Sequence, residues 1–373
     1  MTEADGERTV LVLQGGGALG AYQAGAFEAL SEAGIVPDWV SGISIGAINA
    51  AVIAGNAPER RVEKLRAFWN AVSSGLQSSP WLPSQFARAF FNELTAAAGA
   101  SLGVSGLFQL RFLAPLLEPA GTPAALSFYD TAPLHKTLTE LVDFGRIQSG
   151  PVRLSVGAVN VRTGNVVYFD SKERALAPEH IMASGALPPG FPPMIIDGEA
   201  YWDGGLVSNT PLQYVLDSGG PRDDMLVFQV DLFSARGPMP RTISDVMERE
   251  KDIRFSSRTR LNTDVFREIQ TLRRAAKRLT SKLPAELSDD PDARLLADNA
   301  CDAAITIVHL IQREAAYETE SKDYEFSRLS VQEHWNAGRK DVQRTLANAA
   351  FQTRTKPKQG VTILDLTRDG IKT

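Results

Sequence analysis

The first hydrophobic run of the chain, Thr9 to Leu13, has the length and β-branched character of a buried strand, and it stops at Gly15-Gly16-Gly17. From Leu19 to Ala33 small residues carry Tyr22, Ala26, Phe27 and Leu30 at helical spacing, with Gly34 where a C-terminal cap belongs. A second strand then leads from Pro37-Asp38-Trp39-Val40 into Gly42-Ile43-Ser44-Ile45-Gly46. The following stretch, Ala47 to Ala54, is apolar all round, as only a buried helix can be. Two strand, glycine-turn and helix units in 55 residues predict an α/β fold, with a mostly parallel central sheet covered by helices on both faces.

The pattern loosens between residues 73 and 127, which read as an insertion of helices and loops that includes Ser78-Ser79-Pro80-Trp81-Leu82-Pro83. The apolar stretch Leu107 to Leu117 within it is either a lid or acyl-chain wall, or a helix packed on the core. Asp130 caps a helix that runs through Leu141, and strands resume at Val152–Val159 and Asn165–Phe169. Asp197-Gly198 between Met194-Ile195-Ile196 and Ala200-Tyr201-Trp202 predicts a tight hairpin, and Met225–Phe233 another buried strand.

After Gly237-Pro238-Met239-Pro240 the character changes. Ten Lys or Arg fall between positions 251 and 282 against only three acids. Leu261, Val265, Leu272, Ala276, Leu279 and Leu283 lie on one helical stripe, which predicts an amphipathic basic helix over 254–283. Transient contact of that helix with an anionic membrane is one reading, and a core-facing stripe with a solvated basic face is the favoured one. Ala304–Ile311 reads as a strand, and Ser330 with Glu333 as a capping box that opens a last helix. A strand this apolar needs a sheet to join. The expected organisation is therefore a domain over 8–235 and a mainly helical C-terminal extension over 240–373 that docks on it and adds a strand.

Composition narrows the classes without naming one. A net charge of −5 over 373 residues gives no global electrostatic case for nucleic-acid binding. Cys301 stands alone, which excludes an intrachain disulfide or a cysteine-rich zinc site and fits a reducing compartment. The start, Met1 to Glu7, has no secretory pattern, and no apolar run reaches the length of a spanning helix. The expectation is a cytoplasmic protein in at most peripheral contact with a membrane.

Gly42-Ile43-Ser44-Ile45-Gly46 fits G-x-S-x-G between a strand and a helix, the setting of a nucleophile elbow, although a glycine-rich turn at such a junction also serves packing alone. Gly15, Gly16 and Gly17 open a helix with amides clear of side chains, as an oxyanion hole requires. Gly15, Gly17 and Gly20 also satisfy G-x-G-x-x-G of a dinucleotide site. The acid which that site expects near the end of the second strand is missing, and Asp38 stands at the strand's beginning. Of four histidines, His135, His309 and His334 read as structural, and His180 precedes a loop that could border a pocket. The better base is Asp203, set by the hairpin and followed by Gly204 and Gly205, unless it only makes an Asx-turn.

Together, the early glycine loop, G-x-S-x-G and the distant Asp203-Gly204-Gly205 resemble the patatin-like phospholipase family over residues 8 to 235. Tyr22-Gln23-Ala24-Gly25, Tyr129-Asp130-Thr131-Ala132-Pro133-Leu134, Ala183 to Pro193 and Asn209-Thr210-Pro211-Leu212 add to the likeness. The remainder, with Ser321 to Phe326 and His334 to Gly338, looks like the extension of a bacterial subgroup. The resemblance implies a Ser44–Asp203 dyad, oxyanion donors at Gly15, Gly16 and Gly17, supporting glycines at 20, 42, 46, 204 and 205, an acyl-enzyme, and no metal or organic cofactor. It implies phospholipase A or lysophospholipase activity. The alternatives are an esterase or thioesterase on substrates such as short hydroxyacid oligomers and, more remotely, a non-catalytic interaction protein or a dinucleotide-binding protein. Two positions depart from the family, Leu19 where many members carry Arg and Gln14 where many carry Asp.

Overall fold

The computed structural model describes residues 7–73, 85–217, 223–256, 259–287, 289–313 and 321–366. In chain order its elements are β1 (Arg8–Leu13), α1 (Ala21–Glu32), β2 (Trp39–Gly42), α2 (Ile45–Ala54), α3 (Arg61–Val72), α4 (Gln85–Leu102), β3 (Gln109–Leu110), β4 (Tyr129–Asp130), α5 (Ala132–Leu141) and α6 (Phe144–Ser149). Then come β5 (Arg153–Asn160), β6 (Val166–Asp170), α7 (Pro178–Ser184), β7 (Met194–Ile196), β8 (Glu199–Asp203), α8 (Leu212–Asp217) and β9 (Met225–Asp231). The C-terminal region holds α9 (Ile243–Phe255), α10 (Thr259–Thr280), α11 (Pro291–Asn299), β10 (Ile305–Ile311), α12 (Arg328–Ala347), α13 (Ala349–Gln352) and β11 (Val361–Asp365).

One sheet orders the strands β11-β10-β9-β1-β2-β5-β8-β7, with β6 also on β5. The pairs from β11 to β5 are parallel, and β6, β7 and β8 join antiparallel. Side-chain alternation divides the core into two layers. Leu11 and Leu13 pack with α1, α2 and α12, whereas Val10 and Val12 pack with Leu212 of α8 and Phe266 of α10. Both faces are covered, as the apolar strands predict.

The extension is sewn into this sheet. It adds two parallel strands, β10 and β11, where the sequence predicted one. On the opposite layer α12 crosses α1 in direct backbone contact. A β-carbon on Gly25 would strike the carbonyl of Trp335, and one on Gly338 the carbonyl of Tyr22. Tyr22 Oη donates to Asp341 at 2.7 Å and Trp335 Nε1 to Glu28 at 2.7 Å across the same crossing. Neither helix can move away without breaking these bonds, so Gly338→Val is expected to destabilise the whole protein by about 3 kcal/mol or more, read from urea denaturation. An unchanged midpoint would show that the crossing is dispensable.

Three expectations are corrected. The favoured stripe of α10 does not face the core, because Val265, Leu272 and Leu279 are 43%, 70% and 52% exposed. Among the described side chains of α10 the buried ones are Phe266 and Gln270, with Gln270 Nε2 donating to the Ala303 carbonyl at 2.9 Å. A large aromatic and a backbone carbonyl that needs a donor turn the helix away from its leucine stripe. Leu261 has no described side chain. The last helix is capped by Ser327, whose hydroxyl accepts from the Ser330 amide. Ser330 and Glu333 instead receive Arg88 of α4, so they do not form a capping box. No α-helix covers 107–117; Leu107 and Phe108 are buried, while Phe112 and Leu116 are 100% and 97% exposed. The segment Ser78 to Pro83 lies outside the described residues.

Candidate active site

Ser44 sits where β2 turns into α2, with φ 54° and ψ −122°. This is left-handed backbone that a β-carbon disfavours, and such strain persists only where the surroundings fix it. Here the Ser44 amide donates to the Ser184 carbonyl at 3.1 Å and to Ser184 Oγ at 3.0 Å. The flanking glycines make the turn sterically feasible. A β-carbon on Gly42 would meet the Gly46 carbonyl, and one on Gly46 the Leu13 carbonyl. Gly20 lies against Ile45 and Trp69 with no more room.

Strand β5 brings the distant aspartate to this serine. Ser155 and Val156 pair with both β2 and β6, and Ala158 and Val159 with both β6 and β8. β2 and β8 therefore share one edge of β5. Gly42, the last residue of β2, lies opposite Val156, and Asp203, the last of β8, lies opposite Ala158. The hairpin behind this placement uses positive φ at Asp197 and Gly198, as the Asp-Gly pair predicted. Gly204 then packs on the Gly157 carbonyl and Gly205 beside Asn209.

The Ser44 side chain and the buried Asp203 carboxylate line the same cavity, and Asp203 Oδ1 accepts from the Gly205 amide at 2.7 Å. Burial pushes the Asp203 carboxyl up to about 7, and the Gly205 amide with the neighbouring Ser44 hydroxyl only partly opposes it. A carboxylate that titrates near neutrality beside a hydroxyl can take that hydroxyl's proton.

Gln14 pins the glycine loop from below. Its Oε1 accepts from the amides of Leu232 and Phe233 at 2.6 and 2.9 Å, and its Nε2 donates to Thr210 Oγ1 at 2.9 Å and the Phe255 carbonyl at 3.1 Å. This uncharged fork fills the position where many family members have Asp. The Gly15 amide, one of the three expected oxyanion donors, is engaged by the Asn209 carbonyl at 3.1 Å. Among the described residues, the amides of Gly16 and Gly17 have no partner. Closure of the loop onto Asn209, in the segment before α8, consumes the first of the three donors.

A cavity opens directly on Ser44, Asp203 and the three glycines, and its walls are apolar, with Phe108, Met182, Phe191 and Phe233 among them. No histidine lines it. His135 pairs with Glu179 at 3.2 Å, and His309 and His334 are buried in β10 and α12. His180, the one expected near a pocket, is buried edge-on against Phe169, with Nδ1 accepting from the Ala177 amide at 3.0 Å. Burial pushes its imidazole below the usual range.

Part of the wall is not legible in the sequence. Phe255, Asp323, Tyr324 and Phe326 of the C-terminal region line the same cavity. Motif likeness at Ser321–Phe326 had marked the segment, but nothing local says that it reaches the glycine loop.

A family model described as "Patatin-like phospholipase" matches residues 11–216, over half of the chain. The chain belongs to the patatin-like phospholipase family. It is accordingly a lipid acyl-ester hydrolase by family. A second model, described as "Patatin phospholipase", matches residues 253–358, so the C-terminal region of this patatin-like protein is itself a recognised part. No curated protein matches the sequence. Among solved structures, VipD from Legionella pneumophila is similar at 14% identity over 98% of this chain and 74% of that one, with a TM-score of 0.39. Human GIVD cytosolic phospholipase A2 is similar at 12% identity over 61% of this chain and 43% of that one, with a TM-score of 0.35.

Proposed function

We propose that this patatin-like protein cleaves acyl esters of lipids, as a phospholipase A or lysophospholipase, with Ser44 as nucleophile and Asp203 as base. The observation that carries the reading is that Ser44, the buried Asp203 carboxyl held near 7, and the glycine loop all line one apolar cavity. Ser44 Oγ attacks the ester carbonyl carbon while its proton passes to Asp203. The carbonyl oxygen takes the negative charge beside the Gly16 and Gly17 amides at the start of a helical turn. Asp203 returns the proton to the departing alkoxide, leaving Ser44 acylated. Water then attacks the acyl-enzyme carbonyl carbon while Asp203 takes its proton, and as the bond to Ser44 Oγ breaks Asp203 returns that proton to Ser44 and the fatty acid leaves.

Apolar walls favour a long acyl chain over an acetyl group. Leu19 is buried in the core, so the position where many relatives carry Arg offers no charge to a head group. This supports the second reading, an esterase on uncharged acyl substrates. Both are tested by labelling Ser44 with a fluorophosphonate and comparing fatty-acid release from phosphatidylcholine, lysophosphatidylcholine and a neutral ester. Absence of labelling would reject the dyad and favour a non-catalytic role.

The turn of α10 that exposes Val265, Leu272 and Leu279 beside Arg267, Arg278 and Lys282 also supports transient contact with an anionic lipid surface. Among the described residues no helix is long and apolar enough to cross a membrane. Co-sedimentation with phosphatidylserine vesicles should fall several-fold for Leu272→Ser with Leu279→Ser. Equal binding of the variant, or equal binding to phosphatidylcholine, would dismiss this contact.

A further inference from the structure

The glycine loop raises a mechanical problem. Its Gly16 and Gly17 amides have no partner among the described residues, so they must be held in place by the residues around them. Three supports come from the N-terminal part of the site: the Gln14 fork, the Gly15 bond to Asn209, and Asn209 Nδ2, which donates to the Gly15 carbonyl at 3.0 Å. The fourth comes from more than 300 residues away. The Asp323 carbonyl accepts from the Ala18 amide at 2.9 Å and presses so closely on Gly17 that any β-carbon there would collide with it. Gly17 has φ 53°, so it is held in a conformation open to glycine and gripped from outside.

What fixes Asp323 is a set of charges largely removed from water. Lys251 Nζ donates to Asp323 Oδ1 at 2.5 Å, and Lys322 Nζ reaches Asp252 at 2.8 Å and Glu248 at 3.3 Å. Helix α9 presents acid, base and acid at 248, 251 and 252, and the turn answers with base and acid at 322 and 323. Such buried pairs add little net stability compared with apolar packing, but they specify one register. Phe255, at the end of the same helix, supplies the carbonyl that both Gln14 and Asn209 bind. Helix α9 and the 321–326 turn thus grip the loop on two sides.

We propose that the C-terminal region acts as a clamp on the oxyanion loop, with Asp323 and Lys251 as positioning residues that aim the Gly16 and Gly17 amides. The clamp rests on the Ser44 reading above, because an aimed amide matters only if charge develops beside it. It gives the extension a role in turnover beyond closing the sheet edge. Loss of the clamp lets the loop shift, which weakens transition-state contacts and leaves the acyl-chain walls in place.

The test compares Lys251→Met, Asp323→Asn and Lys251→Arg with Arg88→Met, all in the full chain. Arg88 ties α4 to Ser330 and Glu333 of α12, so its loss loosens the extension away from the loop. Each variant is measured for kcat and KM on a p-nitrophenyl acyl ester, for the rate of fluorophosphonate labelling at Ser44, and for Tm. Lys251→Met and Asp323→Asn should lose about 10-fold to 100-fold in kcat and in labelling rate with KM within about twofold, and Lys251→Arg should recover most of it. Arg88→Met should lower Tm with kcat unchanged. Wild-type kcat in Lys251→Met and Asp323→Asn, or an equal kcat loss in Arg88→Met at the same Tm, overturns the clamp. If Lys251→Met does not fold, Asp323→Asn gives the decision, since it keeps a hydrogen-bonding group for Lys251 and removes only the charge. Wild-type protein that is not labelled at Ser44 overturns the underlying reading as well.

Discussion

Ser44→Ala is expected to lower acyl-ester hydrolysis by a factor on the order of 10^4 or more, with fluorophosphonate labelling lost and the fold intact. In the proposed mechanism the size follows from removing the atom that carries the acyl group, since the amides and the cavity remain and would retain only their own share of catalysis. Ser44→Gly adds a second readout. The native φ of 54° strains any residue with a β-carbon, at a cost of roughly 1–3 kcal/mol, and glycine adopts it freely. The glycine variant should therefore be as inactive as alanine yet unfold at a higher temperature. Activity within tenfold of wild type in Ser44→Ala would end the nucleophile assignment.

Asp203→Asn should lower kcat by roughly 10^2-fold to 10^4-fold, the contribution of a positioned general base. In the wild type the protonated carboxyl cannot accept the serine proton. The logarithm of kcat/KM should then rise with pH up to about 7 and level off above it. A flat profile across pH 5 to 8 would sink the base role. Stability should move the opposite way. A carboxyl raised from 3.8 to about 7 means that the folded state keeps a proton which the unfolded chain has released, so the native state loses stability as pH rises through that window. The loss reaches at most about 4 kcal/mol above pH 7. Asparagine has no such proton to lose, so the inactive variant should exceed wild-type Tm at pH 8 and match it near pH 4. Thermal scans at the two pH values check the sign.

Much of this site is legible because it is built from local constraints. The two glycine turns follow strands whose apolar runs are unmistakable, and the Asp-Gly turn that aims Asp203 depends only on which residues tolerate positive φ. Gln14 is different. Its replacement of an acid was visible, but its role as a four-bond staple depends on β9 and Thr210 lying beside it, which no local pattern encodes. The misassigned cap at Ser330 has the same origin. Serines at 327 and 330 are both chemically able to cap, and Arg88, arriving from α4, engages the second.

Periodicity and backbone sterics act within a few residues, so the strand-turn-helix units, their burial on both faces and the candidate pair Ser44 and Asp203 can be read from the chain alone. The folded sheet places β2 and β8 on one edge of β5, which joins a serine and an aspartate 159 positions apart. Tertiary packing likewise turns the leucines of α10 outward, gives the Gly15 amide to Asn209, and presses Asp323 on Gly17. Periodicity fixes which residues share a face. Which face is buried, and which amide is left without a partner, depends on segments that meet only when the sheet closes.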